Sequence, residues 1–446
     1  MKNSKKVILA SLAMSMVVFS CKKEKKVVID DPTDPSDVKM ITDETTDLVG
    51  AMEGVLRAGK TYYLKGDLII PAGKEIVAEE CVTIIAVGDG GPIGPEITVH
   101  GSFISLGTEQ CPNLFSVPVE QRTTANIFAG LWGGIQCSES ARLVCLKWTK
   151  MEYLGGQGGP GTPRAGSTRY GLWTLSSNTE IVMEDCWIYG CKDDVYRPVG
   201  GKINLMRNTF EFCGQTGGDG LNVKAGTIGN IAYNVFYGGA TNAFKPSNEG
   251  DGTIQTNIMV YNNTVLNSGW RRPGMSRGAN INFEVGARGG AYNNIIVNCK
   301  RGIRVLEDAD IQNIRIDNNL YYASHQQMVD EFIPSDAVAS TNQASGANNI
   351  FGGVGANNPM FVSYNIDLFS MAEYEAGESQ PASMNSNAGA NLRLAGGSPA
   401  IGAGTTSFSP VSVNWVYATG NRAPNVLPPS SDLGAYPTNG SGNRHN

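Results

Sequence analysis

Histidine is nearly absent: His100, His325 and His445 are the three in 446 residues. So few, so widely spaced, exclude a zinc cluster and a Ser-His-Asp triad from serious consideration. An excess of positive charge is also missing, since 35 Lys and Arg face 41 Asp and Glu for a net charge of -6. That leaves no basic face for nucleic acid. Long helical periodicity is lacking, and the apolar run from Val7 to Phe19 is too short to span a bilayer comfortably. What the chain has is glycine, 55 residues of it, and one recurring phrase. The phrase appears as Arg207-Asn208-Thr209-Phe210, Tyr233-Asn234-Val235-Phe236, Asn262-Asn263-Thr264-Val265, Asn293-Asn294-Ile295-Ile296 and Asn318-Asn319-Leu320-Tyr321. Successive marker Asn residues are 26, 29, 31 and 25 residues apart. Short β-branched and aromatic runs at such a period read as a solenoid of β-coils, in which residues distant in sequence become neighbours on successive coils.

The ends carry separate signals. Lys2, Lys5 and Lys6 precede the apolar run, so residues 1–20 read as a secretory signal. The junction Val18-Phe19-Ser20-Cys21 resembles a bacterial lipobox, which implies lipidation of Cys21 and a membrane anchor without a spanning helix. Residues 21–47 are charged, contain proline and are poor in apolar residues, as expected of a flexible tether. The Lys-Lys-Glu-Lys-Lys run after Cys21 resembles lipoproteins of the Bacteroidetes type. The implied location is the outer membrane, on its periplasmic or its surface face.

Residues 48–137 read as N-terminal β coils and cap, 138–323 as the central solenoid, and 324–446 as a long loop followed by C-terminal coils and tail. The phrase from Thr61 through Pro71-Ala72-Gly73 resembles the opening coils of bacterial right-handed parallel β-helix proteins. Gly397-Ser398-Pro399-Ala400 and Asp432-Leu433-Gly434-Ala435-Tyr436 resemble their wrapped C-terminal tails. The expected fold is therefore all-β, a right-handed parallel β-helix (a single-stranded solenoid) with an N-terminal cap and wrapped tail. Cys191 and Cys213 fall near a turn on adjacent coils, where either a disulfide or stacked free thiols would fit.

A second set of strands aligns by inward apolar pairs: Leu172/Thr174, Leu221/Val223, Phe244/Pro246, Ile281/Phe283 and Ile303/Val305, with Val195 as a further inward member. Side chains alternate along a strand, so the outward column is expected to be Trp173, Tyr196, Asn222, Lys245, Asn282 and Arg304. Aromatic faces pack on sugar rings, amides bond hydroxyls and cations meet carboxylates or sulfates, which suits a polysaccharide partner. The one enlarged coil inserts Trp270-Arg271-Arg272-Pro273-Gly274-Met275-Ser276-Arg277, a loop expected to cover a polyanion.

Asp193 and Asp219 enter adjacent coils, and with Asp194, Asn222 and Asn242 they form an oxygen-rich group able to hold Ca²⁺. Gly218-Asp219-Gly220-Leu221-Asn222 and Ala243-Phe244-Lys245 resemble segments of calcium-dependent pectate lyases. That resemblance implies Ca²⁺ at Asp193, Asp219 and Asn222, and Lys245 as the base of a β-elimination on a uronic-acid polymer, its pKa lowered by neighbouring positive charge. Lys224, Glu284 and Arg288 rank behind Lys245. Galacturonan hydrolysis would call for a Gly-His-Gly and an Arg-x-Lys segment, and neither is present. The other open reading is a non-catalytic glycan-binding or scaffold lipoprotein on the same fold.

Overall fold

The computed structural model describes residues 34, 37–91, 93–160, 162, 164–250, 252–272, 274, 278–375 and 390–445. Residues 1–20, read as a secretory signal, Cys21, expected to be lipidated, and Pro273, Met275, Ser276 and Arg277 of the enlarged coil lie outside them. The strand Lys39–Met40 lies inside the segment read as a tether.

The protein is all-β with a few short helices, and its large sheet pairs strands in parallel. Each strand pairs with one lying a repeat later, and the pairs form three ladders. One runs through Glu75–Ala78, Ser102–Leu106, Leu143–Lys147 and Glu180–Glu184 to Asn257–Tyr261, Arg288–Tyr292 and Ile314–Asp317. A second joins Thr149–Leu154, Trp187–Cys191, Thr209–Cys213, Val235–Tyr237, Thr264–Leu266, Ile295–Val297 and Leu320–Tyr322. The third, which carries the candidate column, joins Ile135–Cys137, Leu172–Thr174, Tyr196–Met206, Leu221–Ala232 and Phe244–Pro246, then Asn282–Phe283 and Arg304–Val305.

The core lies between these ladders and consists of one alternate set of side chains from each. Ile188, Phe210, Phe236, Val265, Ile296 and Tyr321 form one inward column. Within it Phe210 stacks on Phe236 with ring centroids 4.3 Å apart. Leu172, Tyr196, Leu221, Phe244, Ile281 and Ile303 form another, all buried. Removing that much apolar surface from water is what holds a layered chain of short strands together.

The recurring Asn phrase builds one corner. Asn208, Asn234, Asn263, Asn294 and Asn319 each donate a side-chain N–H to the Oδ1 of the next, through Asn349, over 2.9–3.0 Å. Each also donates its backbone N–H to that same oxygen. A second side-chain N–H bonds a carbonyl of a neighbouring strand, such as Leu205 O for Asn234. The residue before each of the five turns the chain with a φ between 52° and 59°. Asn and other residues with local hydrogen bonds tolerate this left-handed region best, although Arg207 and Tyr233 adopt it too.

The stretch from Ser324 to Asn357 is more than a loop. It contains the helices Gln326–Val329 and Val338–Ala344, and Thr341 Oγ1 accepts the N–H of Val305 at the end of the third ladder. This covers strand edges that would otherwise be open. The final segment then lies along the ladders. Thr405 bonds Asn293, Val411 bonds Asn230, the N–H groups of Val416, Tyr417 and Ala418 bond Glu180, and Arg422 pairs with Glu75. It returns past Tyr261 at Leu427 and past Asn208 at Asn443. Cys81 and Cys111 form a disulfide. Cys191 and Cys213 stand opposite each other in register as buried free thiols.

Candidate functional site

Register decides which side chains share the outward column. Leu172 pairs with Tyr196 and Tyr196 with Leu221, so Tyr196 points inward and is fully buried. The expectation that Tyr196 faces solvent is corrected by one residue: Arg197 takes the position, opposite Trp173. A slip of one residue exchanges the faces of a strand. The column is therefore Gln136, Trp173, Arg197, Asn222, Lys245, Asn282 and Arg304.

Most of these side chains are enclosed. Trp173 is only 5% exposed, edge-on to Tyr170 with ring centroids 5.9 Å apart and with Arg164 above its ring. Arg164 also donates to the Tyr170 hydroxyl at 2.7 Å, and Arg197 lies over the Tyr170 ring. The cations are paired: Arg197 with Asp194 at 3.0 Å, Lys245 with Glu284 at 3.0 Å, and Arg304 with Asp336 at 2.8 Å. The amides are only half satisfied. Asn222 donates to Asp194 and Asn282 donates to Glu284, yet Oδ1 of each has no partner among the described residues. Gln136 Oε1 and Trp173 Nε1 on the same column are unpartnered as well. Buried polar atoms left without a partner are costly enough to call for an explanation.

The acidic group is a second corner ladder. Asp194 Oδ1 accepts the backbone N–H of Asp219 at 2.7 Å, and Asp219 Oδ1 accepts the backbone and side-chain N–H groups of Asn242 at 3.0 and 2.7 Å. This resembles the Asn corner with carboxylates in two places, except that each N–H donates back to the preceding member of the stack. Asp194, rather than the expected Asp193, is the residue in register; Asp193 sits beside it and accepts the Asp194 N–H. Burial, then the charge of Asp194, pushes both Asp193 and Asp219 up to about 6.

These contacts bear on the metal. Both oxygens of Asp194 already accept from Asp219, Arg197 and Asn222, and the guanidinium of Arg197 stands against one of them. Asp219 Oδ1 serves Asn242, and Lys245 lies close enough to act on the Asp219 charge. Among the described residues no group of three or more His, Cys, Asp or Glu is placed to hold a metal ion. Ca²⁺ wants six to eight oxygens, and both oxygens of Asp194 and Oδ1 of Asp219 are already taken by N–H groups and cations.

Lys245 is on the column as expected, but its electrostatics are the reverse of those expected. Burial alone would lower its pKa; Asp219, Glu284 with its hydrogen bond, and Asp194 outweigh that and raise it above the ordinary lysine value. A lysine held protonated in this way is a cationic donor rather than a ready base. Lys224 is ion-paired with Glu249.

Trp270, Arg271 and Arg272 of the enlarged coil make their contacts with turns of neighbouring strands. Trp270 is buried against Phe369 and its indole N–H donates to Asn298 O at 2.8 Å. Arg271 is buried and donates to the carbonyls of Cys213, Gly214, Gln215 and Gly238, with Phe128 beneath its guanidinium. Arg272 closes against Gly217 and donates its backbone N–H to Ala240 O. Trp270 and Arg271 hold a neighbouring turn in place, which corrects their assignment to a substrate. Comparison with protein-family models, with curated proteins and with solved structures finds no match.

Proposed function

We propose that the chain is a right-handed parallel β-helix, exported and anchored through lipid at Cys21, which holds an extracellular polysaccharide along the column from Gln136 to Arg304. The observation that carries this reading is the row of unpartnered polar atoms at Gln136, Trp173, Asn222 and Asn282 on one column of successive strands. Neighbouring strands are about 4.8 Å apart, so these buried atoms recur at one- or two-strand intervals, and an extended chain of hydroxyls that displaces the side chains enclosing them finds hydrogen-bonding partners along the row. Because Arg197, Lys245 and Arg304 each already face a carboxylate, a glycan of little charge suits the column better than a polyuronate. Binding without cleavage is the reading that agrees with a protonated Lys245.

The β-elimination reading keeps one supporting observation, the proximity of Lys245 to Asp219, which lies just before the strand paired with that of Lys245. A single experiment separates the two. Purified protein is offered neutral polysaccharides, polygalacturonate, alginate and a glycosaminoglycan, with and without calcium, and both retention and ultraviolet-absorbing unsaturated ends are measured. Retention of a neutral glycan, weakened by Asn222→Ala and without unsaturated product, is the expected result. Product that vanishes in Lys245→Ala would instead establish the lyase.

A further inference from the structure

The C-terminal segment covers part of the outer face of the first ladder. Trp415 and Ala418 pack on Ile104, Leu143, Cys145 and Val182, and the fully buried Glu180 accepts the N–H groups of Val416, Tyr417 and Ala418. Beside this seam lies a cleft of about 290 Å³. Glu75, Ser102 and Leu143, in register as the first residues of successive strands, line it from the ladder, and Lys74 and Arg142 stand one residue ahead of that row. Val416, Tyr417 and Arg422 line it from the C-terminal segment. Ordinary ligand pockets begin at roughly 300 Å³, so the volume suits one ring and not a polymer.

The charges of its lining narrow the ligand. Lys74, Arg142 and Arg422 face a single acid, Glu75. Arg422 engages both oxygens of Glu75, at 2.6 and 2.7 Å, and this bidentate pair fixes the C-terminal wall. Lys74 is paired with Glu53 at 2.8 Å. Arg142 differs from both. Among the described residues no carboxylate stands within salt-bridge reach of its guanidinium, which lies 5.7 Å from the centroid of the exposed Tyr417 ring. Ser102 Oγ also makes no hydrogen bond among the described residues. A guanidinium presents its donors in a planar fork that matches a carboxylate or a sulfate. A cationic ligand would meet three like charges here, and a neutral one would leave the fork without an anion. An anion that also brings a hydroxyl to Ser102 and an apolar C–H face to Tyr417 satisfies all three groups.

We infer that this cleft binds a single anionic sugar ring, with its carboxylate or sulfate held by Arg142 and one hydroxyl held by Ser102. The cleft belongs to the first ladder and the polysaccharide column to the third, so binding here does not depend on the column. The test is a ligand-observed magnetic resonance titration of the full chain with glucuronate, galacturonate and N-acetylglucosamine 6-sulfate, beside glucose, glucosamine, acetate and inorganic sulfate. At least one anionic sugar should bind about tenfold or more tightly than glucose, glucosamine or either simple anion, and the comparison of uronates with the sulfated sugar tells which anionic group is taken. Arg142 is exposed, so Arg142→Gln should keep the thermal midpoint of the parent while weakening the sugar by about tenfold or more, the loss expected for hydrogen bonds to a charged group. Arg142→Lys, which keeps the charge and loses the fork, should restore only part of that affinity. Ser102→Ala should weaken binding about three- to tenfold. The proposal is overturned if no anionic sugar binds, if glucose or a simple anion binds as tightly, or if binding survives both Arg142→Gln and Ser102→Ala.

Discussion

Two corners of this molecule use the same hydrogen-bonding device in different charge states. At the Asn corner, Asn208 through Asn349 pass neutral amide bonds along the stack, and every side chain both donates and accepts. At the other, Asp194 and Asp219 accept backbone N–H groups as the amides do, but they leave negative charge inside the protein. Raised carboxyl pKa values at Asp193 and Asp219 and the salt bridge of Arg197 follow from that charge. The neutral corner is a means of stability. The charged one adjoins the column of unpartnered amides, and its cost is consistent with a role beyond holding the turn.

The sharpest way to break this comparison is at the middle of the neutral ladder. Asn263→Ala removes the acceptor for two N–H groups of Asn234 and the donors to Asn294 Oδ1 and Ile231 O. Several buried groups lose partners at once, so urea unfolding should register a loss of roughly 3–5 kcal/mol. Next comes Arg271→Ala, which strips donors from four carbonyls and is expected to cost about 2–4 kcal/mol while glycan retention is unchanged. A drop in retention with intact stability would return that loop to the binding surface.

The charged corner should respond in the opposite sense. Asp219 has a folded pKa of about 6, above its ordinary 3.8, so the folded state binds more protons than the unfolded state between these values. Stability therefore falls as pH rises from about 4 to about 6 and is level above that, by proton linkage. Asp219→Asn keeps the acceptor and removes the charge. It should raise stability at pH 7 by on the order of 1–2 kcal/mol, and the gain should shrink toward pH 4. A variant that is less stable at both pH values would mean that the charge itself, through Lys245, holds the corner. Smallest of all, Lys65→Ala breaks an exposed pair with Asp47 and should change stability by less than about 0.5 kcal/mol.

Much of the fold was legible because an Asn at a tight corner repeats in sequence wherever it repeats in space. Inward pairs such as Leu221/Val223 and Phe244/Pro246 fell in register for the same reason. Tyr196 was misplaced because the apolar Val195 beside it looks like the better core residue. The strand instead seats the Tyr196 ring between Leu172 and Leu221 and turns Arg197 out. Asp194 could have been found by counting, since it precedes Asp219 by 25 residues, within the range of the Asn repeat, and Asp219 precedes Asn242 by 23, just below it. The burial of Arg271 could not. Its partners are backbone carbonyls at Cys213 and Gly214, and carbonyls carry no sequence signature.

The most direct test of the central claim is the retention of neutral and uronate polysaccharides by the wild-type chain, Asn222→Ala and Asn282→Ala, measured by affinity electrophoresis beside a folded-state control. Retention of a neutral glycan that weakens in each amide variant, with no unsaturated product formed, is the predicted result. Retention indifferent to both substitutions, or calcium-dependent release of unsaturated uronate ends, would contradict it.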